Sequence, residues 1–278
     1  MQLTPAQVKG RIKNEAKRNN ADARTLMRIY MMERFLERLS NSKYRDNFVI
    51  KGGMLVTAMV GIANRSTMDI DTSLKNQNLS EEDAERIINE IASIDLEDGV
   101  VFEIKEISSI MDDMEYPGIR FTMNAIMEKL ITPMKIDIST GDVITPQAVE
   151  YQYKLLLDGR SIPLWSYNLE TVLSEKLQTV LARGLLNTRM RDFYDINMLL
   201  SIYEQEIDED ILKEAFTATC KKRETENLKA EGAQIITVIE KDAQLGRLWK
   251  SYQKKYSYAA DISYEDIMES TKRLYHKV

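Results

Sequence analysis

The sequence is poor in the residues that most often carry covalent and soft-metal chemistry. Of 278 residues, one is cysteine, Cys220, and one is histidine, His276. A lone cysteine makes no internal disulfide and no thiolate metal site, and it points to a reducing, cytoplasmic compartment. A lone histidine beside the C-terminus excludes a His-rich zinc site and argues against a Ser-His-Asp or Cys-His nucleophile. No run of about 18 apolar residues occurs, so no segment is expected to span a bilayer and no membrane partner is expected. The opening M-Q-L-T-P-A-Q-V-K-G lacks the apolar core of a secretory signal. Prolines number only 5, and no low-complexity tract or internal repeat interrupts the chain.

What is present is 44% hydrophobic and 29% charged, the balance of a globular protein with one large domain or two modest ones. Any enzyme of this composition must work with carboxylates, lysines and backbone amides, with or without a hard metal. The net charge of -6 hides an asymmetry. Residues 1–45 hold 11 Lys/Arg against 4 Asp/Glu, and residues 46–158 hold 9 against 21. A basic segment beside an acidic one suits a protein that meets a polyanion at one surface and holds cations at another. Two helices with solvated basic faces would give the same numbers.

Local patterns divide the chain. Thr4-Pro5-Ala6-Gln7 reads as a capped helix start. A longer helix is predicted over 22–40, where Leu26, Ile29, Tyr30, Met32, Phe35, Leu36 and Leu39 recur at helical spacing. F-V-I-K-G-G-M-L-V opens as a short apolar run and stops at two glycines, with a helix predicted over 54–62. Residues 66–73 alternate as a strand, and Ser80 begins another helix with acids in its first turn. Strands are predicted over 100–107, 119–126 and 134–139, and a hairpin over 149–166 around L-D-G-R. From Leu169 onward the pattern is helical. Two domains are therefore expected, 1–167 with a mixed sheet and basic N-terminal helices and 168–278 all helical, with a site formed between them.

K-G-G-M at 51–54 and M-D-I-D at 68–71 form the first candidate constellation. Side chains two apart on a strand share a face, so Asp69 and Asp71 are predicted to point one way and Met68 and Ile70 the other. Two carboxylates on one face repel unless a cation lies between them, and hard oxygen ligands suit Mg²⁺ or Mn²⁺. Gly52 and Gly53 ahead of a helix allow an anion to approach backbone N–H groups. A phosphate cradle plus a dicarboxylate metal site is the apparatus of phosphoryl or nucleotidyl transfer. An exposed strand after a Gly-Gly turn is the structural alternative.

The helix from Leu169 to Leu186 carries the second constellation, because Lys176 falls inside its apolar stripe. A lysine there must snorkel or meet an anion. On the following helix Asp192 lies on the edge of the stripe and Arg189 within it. Salt bridges between packed helices would account for both. Asp137, in the alternating segment P-M-K-I-D-I-S, is a third candidate acid, and an exposed strand position would look the same.

The segment K-G-G-M…R-S-T-M-D-I-D resembles the first motif of the AbiEii/AbiGii toxin family, within the polymerase-beta-like nucleotidyltransferase superfamily. Met54 stands where that pattern often has Ser or Thr, and Arg65 matches an arginine the family usually carries. S-E-K-L and R-M-R-D-F-Y-D resemble the family's later motifs. The resemblance implies an α+β fold, with a nucleotidyltransferase-like mixed sheet followed by a helical half. It implies a metal-dependent nucleotidyltransferase toxin of a bacterial toxin–antitoxin or abortive phage-infection system. Mg²⁺ or Mn²⁺ would sit on Asp69 and Asp71, with Asp137 as a further ligand. The nucleoside triphosphate would lie over Gly52, Gly53, Arg65 and Lys176, and Asp192 would assist catalysis, with Asp195 as second choice. The implied partners are an RNA acceptor, tRNA ends leading, and a cognate antitoxin encoded nearby. Nucleotide transfer to a protein hydroxyl, and a non-catalytic GTP-binding module acting through a partner, are the alternatives.

Overall fold

The computed structural model describes residues 3–75, 80–110 and 118–278. These form two compact units, one of Met1–Asp142 with Val149–Ser166 and the other of Val143–Ala148 with Tyr167–Val278.

The first unit opens with α1 (Pro5–Arg18), where the Thr4 hydroxyl accepts from the Gln7 N–H and the Gln7 side chain accepts from the Thr4 N–H. Asp22 caps α2 (Ala23–Ser40) by accepting from the Thr25 N–H at 2.8 Å. Seven strands follow: β1 (Phe48–Lys51), β2 (Asp69–Leu74), β3 (Val100–Ile110), β4 (Gly118–Met127), β5 (Leu130–Thr140), β6 (Val149–Lys154) and β7 (Ser161–Ser166). Helix α3 (Gly52–Val60) links β1 to β2, and α4 (Glu81–Ala92) follows β2. The sheet runs β3-β4-β5-β2-β1-β7-β6. It is mixed: β1 with β7 and β2 with β5 are parallel, and the remaining ladders are antiparallel. Central β1 is buried along its whole length, as its unbroken apolar run requires.

Helix α2 packs on the sheet and on α1 and α4, and buries more than an apolar stripe. Glu33, Arg34, Glu37 and Arg38 are buried with it. Buried charge must be paired or neutralised. Arg38 grips Asp98 with two bonds of 2.8 Å, Arg34 meets Glu37 at 2.6 Å, and Glu33 accepts from the Leu156 N–H in the turn between β6 and β7.

The second unit is helical: α5 (Leu169–Arg183), α6 (Met190–Tyr203), α7 (Glu209–Lys222), α8 (Leu228–Lys241), α9 (Ala243–Lys255) and α10 (Tyr264–Tyr275). Helix α5 packs against α6, α7 and α8. The Asn168 side chain caps α5 by accepting from the Thr171 N–H at 2.8 Å, and also donates to the Thr145 carbonyl oxygen. No helix among the described residues is long and apolar enough to cross a membrane.

Some local expectations shift. Helix α3 begins at Gly52 rather than beyond the glycines, because that pair opens the helix instead of ending a strand. Strand β2 starts at Asp69, so Met68 lies before it, 47% exposed, instead of packing opposite the acids. Helix α5 ends at Arg183, where Gly184 takes a positive φ of 49°, and Gly184–Leu186 form a 3₁₀ turn. Arg189 precedes α6 as its N-cap residue instead of sitting in its apolar stripe.

Candidate active site

Strand register assembles the acids. Within β2, Asp69 and Asp71 share a face. Parallel pairing sets Asp71 opposite Asp137 of β5, which is itself buried. One carboxylate oxygen from each of Asp69, Asp71 and Asp137 lies within 4.8 Å of the other two. The neighbouring ladders extend the row, with Arg120 of β4 opposite Asp137 and Lys51 of β1 opposite Asp71. Four adjacent strands thus place cation, carboxylate, carboxylate and cation side by side, with Asp69 one pleat away.

The two flanking cations are held differently. The Arg120 guanidinium donates to both oxygens of Asp137, at 2.8 and 2.7 Å. Lys51 Nζ donates to Asp142 at 2.8 Å. Burial alone would raise the Asp142 carboxyl, but the Lys51 charge and hydrogen bonds from Lys51, Ser139 and Ser73 hold it below the usual range. Asp71 is less compensated. Burial, then the charges of Asp69 and Asp137, push its carboxyl up to about 6 against the opposing Gly53 N–H and Lys51.

The glycines admit this packing. Gly52 has φ +59°, and a Cβ there would lie 2.1 Å from Asp71 Oδ2. The Gly53 N–H donates to that same oxygen at 3.1 Å, so Asp71 takes an amide of the α3 N-terminus that has no side-chain cap from Lys51. A Cβ on Gly53 would lie 2.5 Å from Thr67 Oγ1, and that hydroxyl donates to Asp69 at 2.9 Å. Arg65 is buried beside this helix start and donates to the Ser66 carbonyl oxygen. Met54, in the position where a hydroxyl is common, is fully buried.

Three clustered hard oxygen donors, only one of them paired with a guanidinium, fit a divalent cation of the Mg²⁺ or Mn²⁺ class. Asp69 and Asp71 are the donors whose oxygens are not both engaged by a guanidinium.

The helical unit brings its own candidates together. Lys176 Nζ donates to Asp195 at 2.6 Å and to Asp192 at 3.1 Å. The Asp195 side chain is fully buried, and those of Lys176 and Asp192 nearly so. The helical spacing that set Lys176 in an apolar stripe is thus answered by two carboxylates of α6. On the other side of α5, Arg223 donates to Glu175 at 2.9 Å and to Gln178 at 2.6 Å.

Sequence reasoning missed Lys51, Arg120, Asp142 and Thr67. Only Lys51 had a local signal, as the charged end of an apolar run. Arg120 reaches the row through strand pairing and Asp142, just past the end of β5, through its side-chain bond with Lys51, contacts that no local period reveals.

Residues 34–270 match the family described as nucleotidyl transferase AbiEii toxin, type IV TA system. Among solved structures, the chain resembles a candidate nucleotidyltransferase of H. pylori at 15% identity, covering 91% of this chain and 95% of that one, with a TM-score of 0.49. JHP933 of Helicobacter pylori also scores 0.49 at 15% identity, over 91% and 92% of the two chains. An antigenic nucleotidyltransferase-like protein of Paracoccidioides brasiliensis, 13% identical over 83% and 94%, scores 0.37. No curated protein sequence matches significantly. The family match spans most of the chain and contains every residue of the charged row and of the Lys176 cluster, so the protein belongs to the AbiEii nucleotidyltransferase toxin family of type IV toxin–antitoxin systems.

Proposed function

We propose that the chain is a metal-dependent toxin that transfers a nucleotide from a nucleoside triphosphate to RNA, with tRNA 3′ ends as the leading acceptor. One observation carries this reading: three carboxylates from two parallel neighbouring strands converge within 4.8 Å at the start of a helix. Asp69 and Asp71 would hold Mg²⁺ or Mn²⁺, with Asp137 as a further donor. A cation bound there would supply charge neutralisation at the reacting phosphate.

The chain's own residues supply the rest. Thr67 orients Asp69 and the Gly53 amide orients Asp71, so both carboxylates are fixed before substrate arrives. The α3 N-terminus at Gly52 and Gly53 favours phosphate through its dipole and the amides that Asp71 does not engage, with Arg65 buried beside it. Lys176 is the proposed contact for the outer phosphates. Asp192 is the proposed acid that assists catalysis, with Asp195 holding Lys176 in place. The acceptor hydroxyl oxygen forms the new bond to the α-phosphorus as the bond to pyrophosphate breaks, and the hydroxyl proton passes to a carboxylate or to water. The basic N-terminal segment is compatible with an RNA partner. A nearby-encoded antitoxin is the expected neutralising partner, as type IV toxin–antitoxin membership implies.

The test is transfer of label from each of the four α-labelled nucleoside triphosphates onto total RNA and purified tRNA, with Mg²⁺ and with EDTA. Label on RNA that disappears with EDTA is expected. Label on protein instead would overturn the acceptor, and nucleotide binding without transfer would overturn the enzyme.

A further inference from the structure

The helical unit carries a further constellation, apart from the acids of the sheet and from the Lys176 cluster. Aromatic rings run outward from its core. Trp249 and Tyr252 of α9 are buried and stacked, ring centres 5.4 Å apart, with buried Tyr194 of α6 at 6.0 Å from Tyr252. Tyr256, which follows α9, lies 4.7 Å from Tyr252. Tyr258, in the 3₁₀ turn Ser257–Ala259, lies 5.0 Å from Tyr194. These two outer rings are only half-buried, and they stack on one another at 5.3 Å and 23°.

Cations collect at the same place. Helix α9 contains no acidic residue, and Lys254 and Lys255 are exposed in its last turn, so no carboxylate of their own helix offsets them. Lys255 Nζ lies 5.3 Å from the centre of the Tyr256 ring. Arg191, in the first turn of α6, reaches the same residue. Burial would raise the Tyr256 hydroxyl, but hydrogen bonds and charge from Arg191 and Lys255 hold it below its usual range. A helix dipole rewards Lys254 and Lys255 at a C-terminus, whereas it opposes Arg191 at an N-terminus. A neutral hydroxyl orients these cations without cancelling their charge.

We propose that Tyr256 and Tyr258, with Arg191, Lys254 and Lys255, form a docking surface for unpaired RNA. The rings stack a base, and the cations hold the phosphates that flank it. Two features select this partner over an acidic protein. Half-buried rings braced by a buried aromatic core reward a flat base, and only an unpaired strand can splay one onto them. Lysine and arginine beside those rings meet the phosphates that every nucleotide carries next to its base. An acidic peptide would use the cations and leave the rings idle. The proposal rests on RNA as the acceptor, as given above, and brings that acceptor to the helix of Asp192, the residue after Arg191.

The test is fluorescence anisotropy of a labelled unpaired RNA of about 12 nucleotides with the purified full chain, in EDTA and without nucleoside triphosphate. An RNA duplex of equal length and polyglutamate as competitor are the other arms. Lys254→Gln with Lys255→Gln should weaken binding about tenfold and flatten the slope of log Kd against log salt by about 1.4, as two lost phosphate contacts require. Lys221→Gln with Lys229→Gln, the same charge change on exposed positions elsewhere, should bind as the unaltered protein does. Tyr256→Leu should weaken binding about fivefold or more through the lost stack. Should that variant not fold, photocrosslinking of iodouridine-substituted RNA to the unaltered protein reads the same contact, with attachment at Tyr256 or Tyr258 expected. Attachment only elsewhere, equal affinities in the two lysine pairs, or no RNA binding at all would overturn the proposal. Unchanged affinity in Tyr256→Leu, with RNA displaced by polyglutamate, would overturn it in favour of an acidic protein. Duplex bound as tightly as the single strand would overturn the unpaired strand as partner. EDTA and the missing triphosphate silence the acids, so failure here leaves the metal-dependent transfer reading standing. Failure of transfer would leave RNA binding to be read by itself.

Discussion

Gly52 and Asp71 occupy one another's space: the carboxylate of Asp71 fills the position where any side chain at residue 52 would begin, 2.1 Å from the ideal Cβ. The glycine is needed twice, for that contact and for its φ of +59°. Gly52→Ala should therefore displace Asp71 and destabilise the fold by at least about 1–2 kcal/mol, the cost of left-handed backbone alone. Mn²⁺ affinity should fall with it. Thermal melts and Mn²⁺ titration check this, and an unchanged melting temperature would show that the backbone relaxes freely here.

Asp69→Asn and Asp71→Asn should each lose nucleotide transfer and toxicity while remaining folded. Each substitution removes one of three crowded like charges, and Asn at 71 keeps an oxygen to accept the Gly53 N–H. Melting temperatures equal to or above that of the unaltered protein are expected. Retained toxicity in a folded variant would remove the metal-site reading.

The Lys176 cluster separates stability from function by residue. Asp195 is fully buried and 2.6 Å from Lys176, so Lys176→Ala leaves a buried carboxylate without its cation. Breaking such a pair costs about 3–5 kcal/mol, and a large drop in melting temperature is expected. Asp192 is the more distant and more exposed partner. Asp192→Ala should melt near the unaltered temperature, because Lys176 keeps Asp195, and should still lose transfer. Normal transfer per folded molecule would sink its catalytic assignment.

Glu33 supplies a pH dependence remote from the acids. Burial pushes its carboxyl from 4.5 up to about 8, beyond what the Leu156 N–H, Arg34 and Tyr153 recover. The folded state then binds the proton more tightly than the unfolded chain. Its contribution to stability is complete below about 4.5 and is lost as pH rises through about 8. Glu33→Gln mimics the protonated form, so its melting temperature should fall less than that of the unaltered protein between pH 5 and 9, by several °C. Parallel curves for the two proteins would show that Glu33 ionises normally.

Much of this protein is written in short-range pattern. The capping box at Thr4 and Gln7, the helical stripe of α2 and the alternation of β4 and β5 follow from side-chain period and local hydrogen bonding. The same period puts Asp69 and Asp71 on one face and sets Lys176 where it must find an anion. Tertiary structure alone decided which anions it found, because Asp192 and Asp195 reach it from a different helix. It also set Asp137 opposite Asp71, Arg120 opposite Asp137 and Lys51 opposite Asp71. Register between strands distant in sequence is chosen by the buried face of the whole sheet, and a slip of one residue would turn each of these charges to the other side. The reason for Gly52 is likewise non-local, since the side chain that excludes a Cβ there comes from the next strand. The sequence by itself determined the elements and the pair of acids; sheet register and helix packing decided what surrounds them, because those contacts join residues that no local period relates.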